Sequence, residues 1–214
     1  MPSQVDFLLF QVEAPKNQAA ELAQVFSKFC TDSVLNLRFH RAASSTVNAH
    51  IYLYAKLPNP MAIEVEACRA LQAALETVAG HLSRESRVRV SRLQLALQPH
   101  SVSHREIPKF HYVVETDTDE GWFDEIARWY DEEHILGLAA VPGCISAMRL
   151  VNLDAKQEAD DNRPLSFACY DLTSPDVLTS PPWLAVRHTA WSDIARPHFT
   201  NTLRTMMDVL EVDV

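Results

Sequence analysis

The hydrophobic positions of the chain follow a layout of elements that occurs twice. In the first half, residues 5–12 form an apolar run of strand length, and four apolar residues recur next at helical spacing: Leu22, Val25, Phe26 and Phe29. Alternation over 35–39 and 47–53 then predicts a hairpin of two strands, and an apolar stripe over 61–78 predicts a helix that ends at Gly80. The segment 88–97 predicts a final strand, whose apolar phase slips near Ser91 and therefore indicates a bulge.

The second half repeats this order. Alternation over 110–114 predicts a strand, and an apolar stripe from about Asp119 to Tyr130 predicts a helix. Strands are predicted over 145–151 and 165–172, and Ser174 with the proline that follows it predicts the start of a short helix. The segment 203–212 predicts a last strand, although its pattern also fits a continued helix.

Two successive βαββαβ units predict an α+β fold of two tandem ferredoxin-like units. Each antiparallel sheet then has one face covered by helices and one face without a partner. We expect the two sheets to pack on each other within the chain as a pseudo-dimeric α+β barrel. The predicted boundaries are 1–98 for the N-terminal unit, 99–108 for a linker without periodicity, and 109–214 for the C-terminal unit.

Composition narrows the classes of partner. The 214 residues carry a formal net charge of -9, which argues against a nucleic-acid partner. The acidity is uneven, since residues 101–214 contain nine Lys and Arg against twenty Asp and Glu. No apolar run approaches the roughly 20 residues of a membrane span, so we expect a soluble cytoplasmic protein with no membrane partner. The four cysteines lie far apart, which predicts neither a metal site nor a disulfide framework.

The segment 129–143, WYDEEHILGLAAVPG, carries the most specific pattern of the chain. It ends an amphipathic helix, places His134 among aromatic residues, and turns through Val-Pro-Gly into the next strand. With Arg149, Tyr170 and the Ser174-Pro175 pair, it resembles EthD-like proteins of the dimeric α+β barrel superfamily over about residues 108–190. One residue departs from the family pattern, because Leu136 stands where the family usually has proline.

The resemblance implies a small-molecule enzyme or binding protein with a small-molecule ligand as its partner. That superfamily includes cofactor-free monooxygenases, lactone isomerases, polyketide cyclases and haem-binding relatives. A cofactor-free oxygenase, isomerase or cyclase acting on an aromatic or lactone metabolite is therefore the leading hypothesis. Two alternatives stay open, a non-catalytic assembly or binding module and a haem-binding protein. A homo-oligomer is compatible with each of these three hypotheses.

His134 is the candidate catalytic residue. It follows Tyr130 by four residues and Ile126 by eight, so a regular helix would place it on the buried stripe. The ordinary pKa of histidine, about 6.5, suits a general acid or base that acts on a phenol, an enol or a carbon acid. The alternative is structural, since a charged histidine near the C-terminus of a helix interacts favourably with the helix dipole.

The candidate substrate-binding residues are four aromatic side chains and one arginine that surround the same segment: Tyr112, Trp129, Tyr130, Arg149 and Tyr170. Arg149 interrupts an apolar strand face, and a buried arginine needs a carboxylate or a ligand. Its partner is therefore either an acidic residue of the chain or an anionic substrate. The four aromatic residues also allow two interpretations, because they can belong to the hydrophobic core or form the wall of a pocket.

The first half offers a rival site on its predicted hairpin. Asn36, Arg38 and His40 alternate on one strand, and three further polar or aromatic residues alternate on the next: His50, Tyr52 and Tyr54. The two sets share one sheet face if their registers agree. Such a face is either a polar joint between sheets or a second binding site.

Overall fold

The computed structural model describes residues 3–80, 87–155 and 163–212. The chain divides into two compact units. The first comprises the residues up to Gln94 together with those from Met207 onward, and the second comprises Leu95–Met206. The boundaries predicted at 98 and 109 stay a prediction.

Unit 1 is an antiparallel sheet with two helices. Its elements are β1 (Val5–Glu13), α1 (Ala19–Asp32), β2 (Arg38–Ser45), β3 (His50–Met61), α2 (Val65–Ala79) and β4 (Arg87–Leu97). The strand order is β4-β1-β3-β2, and the last residues of the C-terminal strand, from Met207 to Val209, pair with β2. Aromatic rings fill the space between α1 and the sheet, with the Phe26 ring centroid 5.1 Å from that of Phe10 and 6.0 Å from that of Phe29.

The strand registers of unit 1 differ in two places from the arrangement that the sequence pattern predicted. The register between β2 and β3 shifts after Phe39, so that Arg41, and not His40, lies opposite Tyr54. Asn36 precedes β2 in a left-handed turn with φ of 51°. Asn36 and His40 therefore do not lie on the aligned face that alternation predicted, whereas Arg38 stays in register opposite Lys56. The bulge predicted near Ser91 does not occur in the pairing with β1, where the register is continuous from Arg87 to Leu93.

Unit 2 has the same order of elements with extra helical segments. Its elements are β5 (Phe110–Thr118), α3 (Phe123–Trp129), a π-helical segment (Tyr130–His134), α4 (Ile135–Ala139), β6 (Cys144–Asn152), β7 (Ser166–Leu172), a 3₁₀ turn (Pro175–Thr179), α5 (Pro181–Arg187), α6 (Ala190–Ala195), a second 3₁₀ turn (Arg196–His198) and β8 (Phe199–Val209). The strand order is β8-β5-β7-β6.

The C-terminal part of unit 2 begins where its sequence predicts and then departs from the expectation. Ser174 caps the 3₁₀ turn by accepting a hydrogen bond from the Asp176 N–H at 3.2 Å. The chain then forms two short helices, and Thr189 caps the second of them by accepting from the Ser192 N–H at 3.1 Å. The last strand begins at Phe199, four residues earlier than predicted, and it is not a continued helix.

The predicted α+β class, with two tandem ferredoxin-like units and eight antiparallel strands of the dimeric α+β barrel type, is confirmed. Among the residues that the structure describes, no helix has both the length and the apolar character needed to cross a lipid bilayer.

Candidate functional site

The first helix of unit 2 changes its winding in the middle. After α3 it continues as a π-helical turn from Tyr130 to His134, in which the Ile135 N–H donates to the Tyr130 carbonyl five residues earlier. It then returns to α-helical winding as α4. A π turn inserts one residue, so it rotates the side chains that follow it, and such turns are frequent at functional sites. Here it leaves Trp129, Tyr130 and His134 buried together.

His134 is packed among aromatic rings and has an unpaired nitrogen. Its side chain is 8% exposed, and its ring lies over that of Trp129 with centroids 4.1 Å apart and planes 23° apart. Tyr130 approaches it edge to face at 5.6 Å. Among the described residues, neither His134 Nδ1 nor Trp129 Nε1 has a hydrogen-bond partner, although both are buried. A buried unpaired donor or acceptor costs free energy, so these two atoms distinguish this cluster from an ordinary packed core.

Burial sets the charge state of His134. Burial is the main cause that lowers the pKa of the imidazole from 6.5 to about 3, and the positive charges of Arg196 and Arg187 lower it further. The ring is therefore neutral at pH 7. Burial likewise raises the pKa values of the Tyr112, Tyr130 and Tyr170 hydroxyls, so these groups also stay uncharged.

His134 is not a helix-terminal cap. The helix continues through α4 to Ala139, and a neutral imidazole gains nothing from a helix dipole. Glu133 does not bond the unpaired Nδ1, because its Oε1 accepts a hydrogen bond from Thr189 Oγ1 at 2.5 Å. The environment of His134 is therefore not that of a charged cap at a helix end, and its catalytic role stays a prediction.

The sheet supplies the opposite wall of a pocket. Tyr112 and Tyr170 lie directly across from each other on β5 and β7, with ring centroids 6.1 Å apart. The ring centroid of Trp183, on α5, lies 5.3 Å from that of Tyr170. These side chains and the helix enclose a cavity of about 50 Å³. Five predicted site residues line it: Tyr112, Trp129, Tyr130, His134 and Tyr170.

Arg149 has a different environment from the other predicted residues. It lies on β6, and its Nε and Nη2 atoms donate to the two carboxylate oxygens of Asp131, each at 2.8 Å. It is not among the residues that line the cavity. The structure therefore shows the ion pair that the sequence left open as the alternative to substrate binding.

The cavity is also lined by three arginines that were not selected from the sequence: Arg187, Arg196 and Arg204. They come from three different elements, namely the end of α5, the start of the second 3₁₀ turn, and β8. Among the described residues that line the cavity there is no aspartate or glutamate. A local signal existed, because residues 187–204 contain these three arginines and one acidic residue, Asp193, within an otherwise acidic half.

Close packing positions the first of these arginines. A Cβ on Gly137 would lie 2.9 Å from Val186 Cγ1, so α4 and α5 approach each other at a distance that only glycine permits. Val186 immediately precedes Arg187, and the Arg187 carbonyl accepts a hydrogen bond from Arg196 Nη1 at 3.3 Å. The Arg196 guanidinium is thereby connected to the end of the helix that carries Arg187.

Comparison with known proteins gives a likeness of fold. No family model matches the chain, and no curated protein matches it in sequence. An anthrone oxidase-like protein is similar in structure, with a TM-score of 0.64 and 12% identity over 96% of this chain and 92% of the other. A putative monooxygenase from Lactobacillus acidophilus NCFM has a TM-score of 0.61 and 9% identity over 97% and 94%. A mutant chlorite dismutase from Candidatus Nitrospira defluvii has a TM-score of 0.56 and 10% identity over 94% and 90%.

At such low identity the likeness shows the fold alone, because one fold supports many unrelated reactions.

Proposed function

We propose that the protein is a small-molecule enzyme of the EthD-like kind, in which His134 exchanges a proton with an enol, a phenol or a carbon acid. One observation carries the proposal: a buried, neutral imidazole lines a cavity and has an unpaired Nδ1. Such a nitrogen can accept a proton or donate one, according to its tautomer. The aromatic walls, formed by Tyr112, Trp129, Tyr130 and Tyr170, suit a flat apolar group, and the volume of about 50 Å³ accommodates a few heavy atoms of an aromatic or lactone substrate.

The arginines make this histidine usable as a base despite its low pKa. Removal of a proton from a carbon acid leaves an enolate on the substrate and an imidazolium on His134. The negative charge of the enolate lies beside positive charges that otherwise disfavour protonation of His134, namely those of Arg187 and Arg196. Proton transfer and charge compensation therefore occur together, and the arginines stabilise the anion that forms.

Proton transfer is tested by hydrogen–deuterium exchange. Enolisable lactones and aromatic ketones are incubated with the protein in deuterated water, and loss of the exchanging proton is followed by NMR. We expect exchange that falls by about 100-fold in His134→Gln, which is the usual contribution of one positioned acid or base. The matched control is His188→Gln, since His188 is exposed and lies outside the lining of the cavity. Absence of exchange by the native protein, or equal exchange by His134→Gln, would refute the proposal.

Oxygen uptake separates the reaction classes within this proposal. Two similar structures bear the names putative monooxygenase and anthrone oxidase-like protein, which favours a cofactor-free oxygenase over an isomerase or a cyclase. An oxygenase consumes dioxygen in step with the loss of substrate, whereas an isomerase or a cyclase converts its substrate without dioxygen. An oxygen electrode and product analysis on substrates that show exchange distinguish these outcomes.

Haem binding through His134 fits the site poorly. The cavity of about 50 Å³ is far too small for a porphyrin, and the Trp129 ring covers one face of the imidazole. No step of the proposed chemistry therefore passes through haem. A non-catalytic binding module remains the second candidate, and binding of a lactone or an aromatic acid without exchange or turnover would favour it.

A further inference from the structure

The cavity has a positive rim in the acidic half of the chain. Residues 101–214 contain only nine Lys and Arg, and three of these nine line one small cavity: Arg187, Arg196 and Arg204. Like charges repel one another, so their convergence costs free energy unless an anion compensates it. The mutual repulsion is visible at Arg196, whose pKa is lowered by burial and then by the charges of Arg187 and Arg204.

The compensation that the chain itself provides to Arg196 is small. Asp193 is the acidic residue that raises the pKa of Arg196, and it is exposed. The hydrogen bond of Arg196 goes to a neutral acceptor, the Arg187 carbonyl. By contrast, the buried Arg149 has a bidentate carboxylate partner in Asp131. The same unit thus pairs one arginine fully and leaves a cluster of three arginines in the lining of the cavity.

We infer that Arg187, Arg196 and Arg204 form an anion subsite, and that the ligand is a small monocarboxylic acid whose uncharged planar part faces His134 and the aromatic wall. This inference rests on the proposed function for the position of the ligand, and it adds the chemical class of the substrate. Guanidinium groups suit a carboxylate because they donate two parallel hydrogen bonds. The volume of about 50 Å³ restricts the enclosed part of the ligand to a few heavy atoms.

The test compares acids with their neutral isosteres on the full chain. Three carboxylates of increasing size, namely acetate, propionate and benzoate, are titrated by NMR and calorimetry beside acetamide, propionamide and benzamide. For the best-fitting size we expect the carboxylate to bind at least about tenfold more tightly than its amide. Equal affinity of acid and amide at every size, or no binding of any acid, would overturn the inference.

Substitution of one arginine tests whether the bound carboxylate contacts this cluster. We expect Arg196→Gln to weaken binding of the best-fitting carboxylate by about tenfold and to leave binding of its amide unchanged. Arg128→Gln is the matched control, because Arg128 is an exposed arginine of the same unit that pairs with Glu125 and does not line the cavity. Equal weakening by both substitutions would show only a general effect of charge, and it would overturn the subsite.

The experiment separates this inference from the proposed function. His134→Gln retains the preference for acids over amides if the subsite exists, whether or not His134 transfers protons. Carboxylate binding without hydrogen–deuterium exchange therefore supports the subsite and refutes the acid–base role. Exchange that depends on His134, together with equal binding of acids and amides, supports the acid–base role and refutes the anion subsite.

Discussion

The first helix of each unit occupies the same place in the same βαββαβ order, yet the two helices differ in what they bury. In unit 1, α1 is a regular α-helix of 14 residues whose buried residues recur every three or four positions. Its last buried residue is Cys30, an apolar thiol whose pKa burial raises to about 12. In unit 2, the helix contains a π turn and buries His134 beside Trp129.

The difference shows how one layout yields either a core or a cavity. Regular winding brings Phe26 onto Phe10, and both side chains are 0% exposed. The helix of unit 2 contains a π turn and places a polar ring on its buried face, where two polar atoms have no partner among the described residues. The helix of unit 1 therefore serves stability, whereas that of unit 2 gives up some stability for a polar site.

The largest effect is expected in the filled core. Phe26→Ala leaves a cavity beneath α1, and a change of this kind costs about 3–5 kcal/mol of unfolding free energy. Phe29→Ala is the matched control, because Phe29 belongs to the same aromatic cluster and is only partly buried. Urea denaturation followed by circular dichroism measures both losses. If the two substitutions cost the same, α1 does not depend on close packing at Phe26.

The turns after the two helices should respond differently to the same side chain. Asn36 and Gly143 both have positive φ, at 51° and 86°. A Cβ on Gly143 would lie 2.7 Å from Val177 Cγ2 and 2.9 Å from Thr173 Oγ1, so Gly143→Asn should cost about 2–3 kcal/mol through overpacking. Gly121→Asn is the control, since Gly121 has φ of 79° and a Cβ added there would meet no described atom within 4 Å.

Thermal or urea unfolding of these two glycine variants decides between sterics and backbone strain. We expect the loss at Gly121 to stay below about 1 kcal/mol, because asparagine tolerates the left-handed conformation. Equal losses at both positions would mean that backbone conformation alone makes glycine necessary in the Val-Pro-Gly turn.

The ion pair of unit 2 should contribute to stability, and its loss tests the role of Arg149. Asp131→Asn leaves the buried guanidinium of Arg149 with a neutral partner, and we expect a loss of about 2 kcal/mol, since the Asp131 side chain is 36% exposed and water can enter. Asp124→Asn, at an exposed position of α3, serves as the control. Unchanged stability together with tighter binding of benzoate would instead support the predicted substrate-binding role of Arg149.

The sequence predicted the fold because the apolar periods of both halves are long and regular. It selected His134 and four of the aromatic residues around the cavity because they lie close together in one motif or on predicted strands. It missed the π turn, since the spacing of Ile126, Tyr130 and His134 fits a regular helix and the change in winding leaves no mark on that pattern.

The arginines were missed for a different reason. Arg187, Arg196 and Arg204 are eight or nine residues apart and lie on three separate elements, so no single period connects them. Their convergence is produced by tertiary packing, above all by the approach of α5 to α4 at Gly137. The one signal in the sequence for these arginines was a local positive net charge within the acidic half of the chain.

The smallest expected effect concerns the acid sensitivity of the polar site. His134→Leu gives unit 2 an apolar residue at the polar position of its helix and removes a buried unpaired nitrogen, so stability at pH 7 should change by no more than about 1 kcal/mol. The folded-state pKa of about 3 lies below the ordinary 6.5, so the unfolded chain binds a proton in this window that the folded chain does not. The unfolding free energy of the native protein should therefore fall as pH falls below 6.5.

The tyrosines that face His134 do not change their charge in this pH window. Burial raises the pKa values of the Tyr130 and Tyr170 hydroxyls, so both are uncharged throughout the window. At about 1.4 kcal/mol per pH unit, His134→Leu should gain about 2 kcal/mol relative to the native protein between pH 6.5 and pH 5. His188→Gln, at an exposed histidine, should not gain this advantage. Parallel stability curves for the native protein and His134→Leu would mean that His134 is readily protonated in the folded state, and its unpaired nitrogen would then be accessible to water.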